Sequence, residues 1–153
     1  MPHSNTAHTT HTEKAKTAHA QFAGQLFQQQ TTRLATQKEI SRSRALVLSY
    51  LLKLKKCIDA QHDDLVQALC TRFREYLIDY ISYGHFRLFE VYDPEPHHVT
   101  TVEHVTNLAL QFDRRYRSQP TINLARLRDD LEELALAMEA RFEVEDEITI
   151  ISH

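Results

Sequence analysis

Tryptophan is absent from this chain, and glycine is nearly so, with two among 153 residues. Proline occurs four times. A sandwich or a nucleotide-binding sheet would spend more of both on its turns. Against abundant Leu, Ala, Gln, Glu and Arg, their scarcity points to long helices. Also missing are GxGxxG, GxxxxGK, HExxH and GxSxG, which removes the usual phosphate cradles, the zinc-protease helix and the nucleophile elbow. The two cysteines, Cys57 and Cys70, stand alone without CxxC spacing. Lone thiols suit a reducing compartment and serve in packing. No apolar run approaches the ~18 residues that span a bilayer. The opening MPHSNTAHTT lacks a charged segment followed by a hydrophobic one, so a cytoplasmic location without a membrane partner is expected.

What is present bounds the answer further. A chain of 153 residues is long enough for one core that needs neither disulfide nor metal. Its net charge of −3 conceals an asymmetry. Residues 1–60 hold nine Lys/Arg against three Asp/Glu, net +6, and residues 61–153 hold nine against eighteen, net −9. An acidic body repels nucleic acid and attracts basic proteins, so no direct nucleic-acid contact is expected of it.

Taken in order, residues 1–20 are rich in Thr, His, Ala and Lys without apolar periodicity, and read as a disordered tail. His3, His8, His11 and His19 lie there, and no Cys or carboxylate fixes a metal geometry, so adventitious metal binding is the expectation. From Phe22 the apolar spacing begins, strengthening from Ala45 to Ile58, for a long first helix with a break near Gln28–Thr32. A second helix follows from about Asp64 to Val91, with Asp63 as N-cap. Tyr92-Asp93-Pro94-Glu95-Pro96 ends it, since each proline lacks a donor and disfavours helix in the residue before it. Thr100 or Thr101 is expected to cap a third helix, and a fourth begins around Thr121 to Asn123 with Leu124, Leu127, Leu131, Leu134, Met138 and Phe142 at helical spacing. The expectation is an all-α, antiparallel up-and-down four-helix bundle over residues 21–153 behind a flexible tail of residues 1–20.

The stretch Glu75–Glu90 carries two stripes. At about 100° per residue, Phe73, Leu77, Tyr80, Ile81, Gly84 and Leu88 form a core-facing seam. On the opposite side fall Glu75, Asp79, Ser82, Phe86, Phe89 and Glu90. An apolar anchor among carboxylates and a hydroxyl suits a basic partner, the anchor supplying affinity and the charges supplying steering. A central helix buried on both faces would give the same pattern.

Elsewhere the chemistry is thin. Bundles hold paired metals with Glu-x-x-His pairs, yet only Glu95-Pro96-His97-His98 has that spacing, and it lies in a proline turn. No metal site, cofactor or catalytic set is therefore expected. Arg141 and Glu145, at i and i+4 on the core side of the fourth helix, form either a buried pair or the point where the core opens to water. His85 has no catalytic partner in reach and is expected to pack or to bond within its helix.

FREYLIDYISYGHFRLFE (Phe73–Glu90) and AMEARFEVEDEI (Ala137–Ile148) resemble the two characteristic segments of the Rsd/AlgQ family of bacterial anti-sigma regulators. The likeness rests on Asp79, Tyr80, Ser82, Gly84, His85 and Phe86 in the first and on Glu139, Arg141, Phe142, Glu145 and Asp146 in the second. Arg42, Leu46 and Tyr50 align more loosely. Lys38 stands where family members carry a Trp. The resemblance implies a helical bundle that binds the C-terminal, −35-reading domain of the primary sigma factor and keeps it from core RNA polymerase or promoter, favouring alternative sigma factors in stationary phase. It places the sigma contacts on Asp79, Ser82 and Phe86, within the outward stripe that also holds Glu75 and Glu90.

The leading expectation is thus a monomeric, non-enzymatic anti-sigma factor. An adaptor that modulates a metabolic or phosphotransfer protein through the same acidic helix is the alternative. A metal-binding bundle is the third.

Overall fold

A computed structural model describes residues 3–151. They form four α-helices, α1 (His3–Asp59), α2 (Asp63–Val91), α3 (Pro96–Arg117) and α4 (Leu124–Ile151), and no strand occurs among the described residues. The chain divides into two compact units, residues 1–35 and 36–153.

The first unit is helix alone. The break expected near Gln28–Thr32 does not occur. The Thr31 and Thr32 hydroxyls donate to the Phe27 and Gln28 carbonyls, each at 2.9 Å, so these threonines bond back along the helix and the glutamines beside them favour it. Helical backbone also extends through the stretch expected as a tail, from His3 onward. Ala, Lys and Gln supply local propensity there, while Lys14 and every side chain from 16 to 32 is exposed. Of the tail histidines His19 is exposed, and the side chains of His3, His8 and His11 lie outside the described residues.

The second unit is the bundle. One seam from each helix fills its core: Val47, Leu51 and Leu54 of α1, Phe73 and Leu77 of α2, Val102 and Val105 of α3, and Leu127, Leu131 and Met138 of α4. Each fully buried side chain of this size stabilises by about 1.5–3 kcal/mol before entropy is counted. Helix order follows from the cross-helix pairs. Tyr50 and Tyr76 stack between α1 and α2 with ring centroids 4.8 Å apart. Arg74 reaches Asp113 of α3 at 3.1 Å, and Arg115 of α3 reaches Asp130 of α4 at 2.8 Å. Asp59 at the end of α1 meets Arg128 near the start of α4, whereas Arg44 meets Glu145 near its end. Consecutive helices are therefore antiparallel neighbours, and α4 closes against α1, the up-and-down arrangement.

Two helix starts, those of α2 and α3, depart from expectation, and that of α4 follows it. At α2 the flanking residue is His62 without a side-chain cap, and Asp63 is already helical, its carboxylate favoured there by the helix dipole. α3 starts at Pro96 rather than near Thr100, because proline suits a first helical position where no donor is needed. The Glu95 amide then donates to the His98 ring at 3.2 Å, capping the turn, and Thr100 and Thr101 donate back to the Pro96 and His97 carbonyls. At α4 the Asn123 side chain accepts the Arg126 amide at 3.1 Å, so Asn123 is the cap.

The α1–α2 turn closes as a Schellman motif, with His62 N–H bonded to Cys57 O at 3.2 Å and Gln61 N–H to Ile58 O at 3.1 Å. It needs a left-handed residue, and Gln61 fills the place with φ 57°. A side chain is strained where glycine is not. Gln61→Gly is expected to raise unfolding stability by about 0.5–1 kcal/mol, seen as a higher urea midpoint; a lower midpoint would show the turn to be unstrained.

Candidate partner-binding face

α2 separates its two stripes cleanly. Phe73, Leu77, Tyr80, Ile81, Gly84 and Leu88 are buried, while Glu75, Asp79, Ser82, Phe86 and Glu90 are all exposed. Phe86 is 70% exposed, a large apolar ring left in water. Phe89, expected on the same face, is instead half-buried and packs against the core. Glu75 and Glu90 each have an arginine one turn back, exposed Arg72 at 3.9 Å and partly buried Arg87 at 3.7 Å. At such spacing in water these pairs contribute little. His85 lies between the faces, its ring edge-on to Phe86 and Phe89 at 5.8 and 4.6 Å between centroids. Its Nδ1 is buried without a hydrogen-bond partner, so packing, not a bond within the helix, describes its role.

Behind this face lies a polar hub that all four helices share. Arg141 and Glu145 of α4 are 0% and 1% exposed, which resolves their alternatives in favour of the buried pair. Arg141 Nε donates to Glu145 Oε1 at 3.0 Å, Nη1 donates to Thr106 Oγ1 of α3 at 3.1 Å, and Nη2 donates to the Ile81 carbonyl of α2 at 3.3 Å. Glu145 also accepts the Tyr80 hydroxyl of α2 and, through Oε2, Arg44 Nη2 of α1 at 2.8 Å. The Arg44 guanidinium continues to Asp146 at 3.2 Å and stacks 4.5 Å from the centre of the Phe142 ring. A buried charge is tolerated when it is paired and its donors are satisfied, and every Arg141 nitrogen here has a partner. Burial first, and the neighbouring Glu145 carboxylate second, hold the Tyr80 phenol above its ordinary range. Tyr80 therefore stays protonated and remains a donor.

Gly84 is the space this hub requires. A Cβ there would stand 2.8 Å from Arg141 Nη2. The mid-helix glycine, costly for propensity, admits the guanidinium to the α2 backbone. The sequence signals for the hub were the Arg141/Glu145 spacing and that glycine. Arg44 and Thr106 carried no signal, being ordinary residues on distant helices.

Among the described residues one set of side chains brings metal-ligand types together: His97, His98 and Glu147, whose donor atoms lie within 4.8 Å of one another. The hydrogen bonds oppose coordination. His98 Nδ1 accepts the Glu95 amide, so Nε2 carries the ring proton and donates it to Glu147 at 3.0 Å. A ligating imidazole instead keeps its metal-facing nitrogen bare and donates from the other. The arrangement is a helix cap tied to α4.

Two outcomes test the hub and the core beside it. Gly84→Ala is expected to cost about 1–3 kcal/mol by displacing a fixed guanidinium; an unchanged urea midpoint would mean that Arg141 yields freely. Burial pushes the Cys70 thiol from 9.0 up to about 11, with Arg74 offsetting part of the rise. A raised pKa favours the protonated folded state, so this stabilisation is complete below pH 9 and is lost as pH climbs toward 11, and Tyr80 acts in the same direction. Urea titrations from pH 8 to 11 should show falling stability, with a shallower fall in Cys70→Ala; an equal slope in both would contradict this.

The chain matches the family described as Regulator of RNA polymerase sigma(70) subunit, Rsd/AlgQ, over residues 25–152. No curated protein and no solved structure matches it. Among the described residues no helix is long and apolar enough to cross a membrane.

Proposed function

Because the chain belongs to the Rsd/AlgQ family of regulators of the RNA polymerase sigma(70) subunit, we propose that it is an anti-sigma factor. It binds the C-terminal, −35-reading domain of the primary sigma factor and withholds that domain from core polymerase or promoter. The observation that carries this reading is the exposure, on one face of α2, of Asp79, Ser82 and Phe86.

The physical argument concerns what each group offers. A domain that reads DNA is basic, because phosphate neutralisation supplies much of its affinity. Asp79, flanked along the helix by Glu75 and Glu90, steers such a surface inward. Phe86 supplies the apolar anchor that desolvation rewards, and the Ser82 hydroxyl gives a directional bond near the centre. A partner held on this face has its phosphate-binding charges engaged with carboxylates, which is competition with DNA by mimicry of charge.

In this reading the protein acts by stoichiometric binding, without catalysis and without direct contact with nucleic acid. It works as a cytoplasmic monomer that shifts polymerase toward alternative sigma factors in stationary phase. The hub contributes by fixing α2, so that little ordering is required on binding.

Asp79→Lys and Phe86→Ala are each expected to weaken binding to the sigma C-terminal domain by about 1–3 kcal/mol with helicity unchanged, and the wild-type complex should weaken as salt is raised. Calorimetry and circular dichroism read both quantities. Wild-type affinity in both variants would refute the assignment of this face.

A further inference from the structure

A second face of the bundle combines an apolar groove with unbalanced negative charge. It lies between α3 and α4, away from the Asp79 stripe on α2. The groove encloses about 540 Å³. Val105 and Leu108 of α3 and Leu136, Ala137 and Ala140 of α4 form its apolar lining, and Glu133 stands at one edge. The small side chains at 137 and 140 leave the space open, and Leu136 stands beside it 70% exposed.

From Glu132 to Glu147 every exposed charged side chain of α4 is a carboxylate. The one cation in that stretch, Arg141, is buried in the hub. Glu147 is engaged by His98 and Asp146 by Arg44, but Glu132, Glu133, Glu139 and Glu143 make no ion pair among the described residues. Glu133 lies within electrostatic reach of Arg115, and Glu132 shares a pocket with Lys55 and Arg128, whereas Glu139 and Glu143 beside the exposed Leu136 leave both charge and apolar area uncompensated. The α3 wall adds the exposed imidazole of His104 and no Lys or Arg.

We infer that the α3/α4 groove is a second docking surface, and that its occupant is a basic amphipathic helix of another protein. Shape and charge select that occupant. Two antiparallel helices flank the groove for about two turns, from residues 100 to 108 and 133 to 140, which is on the order of 12 Å. That length receives apolar anchors spaced i, i+3 or i+4, and i+7 from a helix laid into it. Lys or Arg on the sides of the same helix then meets the α4 carboxylates, whereas an acidic helix is repelled.

This surface is independent of the α2 face, so both can be filled at once. The full-length chain lacks Trp, and a 14-residue Leu/Lys amphipathic peptide carrying one Trp reports binding without background. Its emission should shift to the blue and its affinity fall with salt. Leu136→Gln and Ala140→Arg, both at exposed positions, should each weaken binding about tenfold. Asp79→Lys and Phe86→Ala should leave it unchanged, and the Leu/Glu counterpart peptide should not bind. Backbone amide shifts should cluster on residues 100–108 and 133–140.

The inference is overturned if the Leu/Lys peptide fails to bind, if Ala140→Arg binds it like wild type, or if Asp79→Lys abolishes binding. It is equally overturned if the Leu/Glu peptide binds as well. Sedimentation showing that wild-type chains self-associate, while Ala140→Arg does not, would assign the groove to a second copy and refute the basic partner.

Discussion

A guanidinium with no access to water sits at the centre of this bundle, and the arrangement of all four helices follows from keeping it satisfied. Arg141 can remain charged only while Glu145, Thr106 and the Ile81 carbonyl stay within reach. Glu145 in turn depends on Tyr80 and Arg44. Removing one member of such a set leaves a buried charge or donor without compensation, which is worth several kcal/mol in typical cases, about 3–5. Apolar seams tolerate small slips of one helix along another. A six-residue hydrogen-bond network tolerates far less, so the hub specifies register where Leu and Val specify only contact.

That constraint explains why two unlike residue sets are interleaved in α2. Tyr80 and Gly84 face the hub, while Asp79, Ser82 and Phe86 face water. The residues that carry the family likeness therefore divide by physical duty. Tyr80, Gly84, Arg141, Phe142, Glu145 and Asp146 all touch the hub or stack beside it. The outward three are free of structural bonds, and a ring as exposed as that of Phe86 lacks a stabilising reason to be there. The proposed sigma contact assigns it one.

Much of the architecture was legible in the sequence because helical spacing reports burial directly. The seam of α2, the proline stop after Val91 and the four-helix count all follow from periodicity and backbone chemistry. Helix starts were less legible. In sequence Pro96 reads as a terminator, whereas its missing donor makes it an acceptable first residue, and the His98 ring supplies a cap that no short motif announces. Gln28–Thr32 is a polar stretch that suggests a break, but the threonine hydroxyls bond within the helix. The outward stripe was visible on a helical wheel as a pattern, and only coordinates separated Phe86 from half-buried Phe89. The hub was half visible. Arg141 and Glu145 are close in sequence, but Arg44 and Thr106 lie 97 and 35 residues from Arg141, a distance that side-chain patterning does not bridge.

The account rests most heavily on α2 presenting its outward stripe to a basic partner while the hub holds it rigid. Titrating the full-length protein with the C-terminal domain of the primary sigma factor, and following its backbone amide resonances, tests this directly. The largest shifts should fall between residues 75 and 90, centred on Asp79, Ser82 and Phe86, with the hub residues of α4 little changed. No shifts at saturating sigma domain, or shifts confined to α3 and α4, would contradict it.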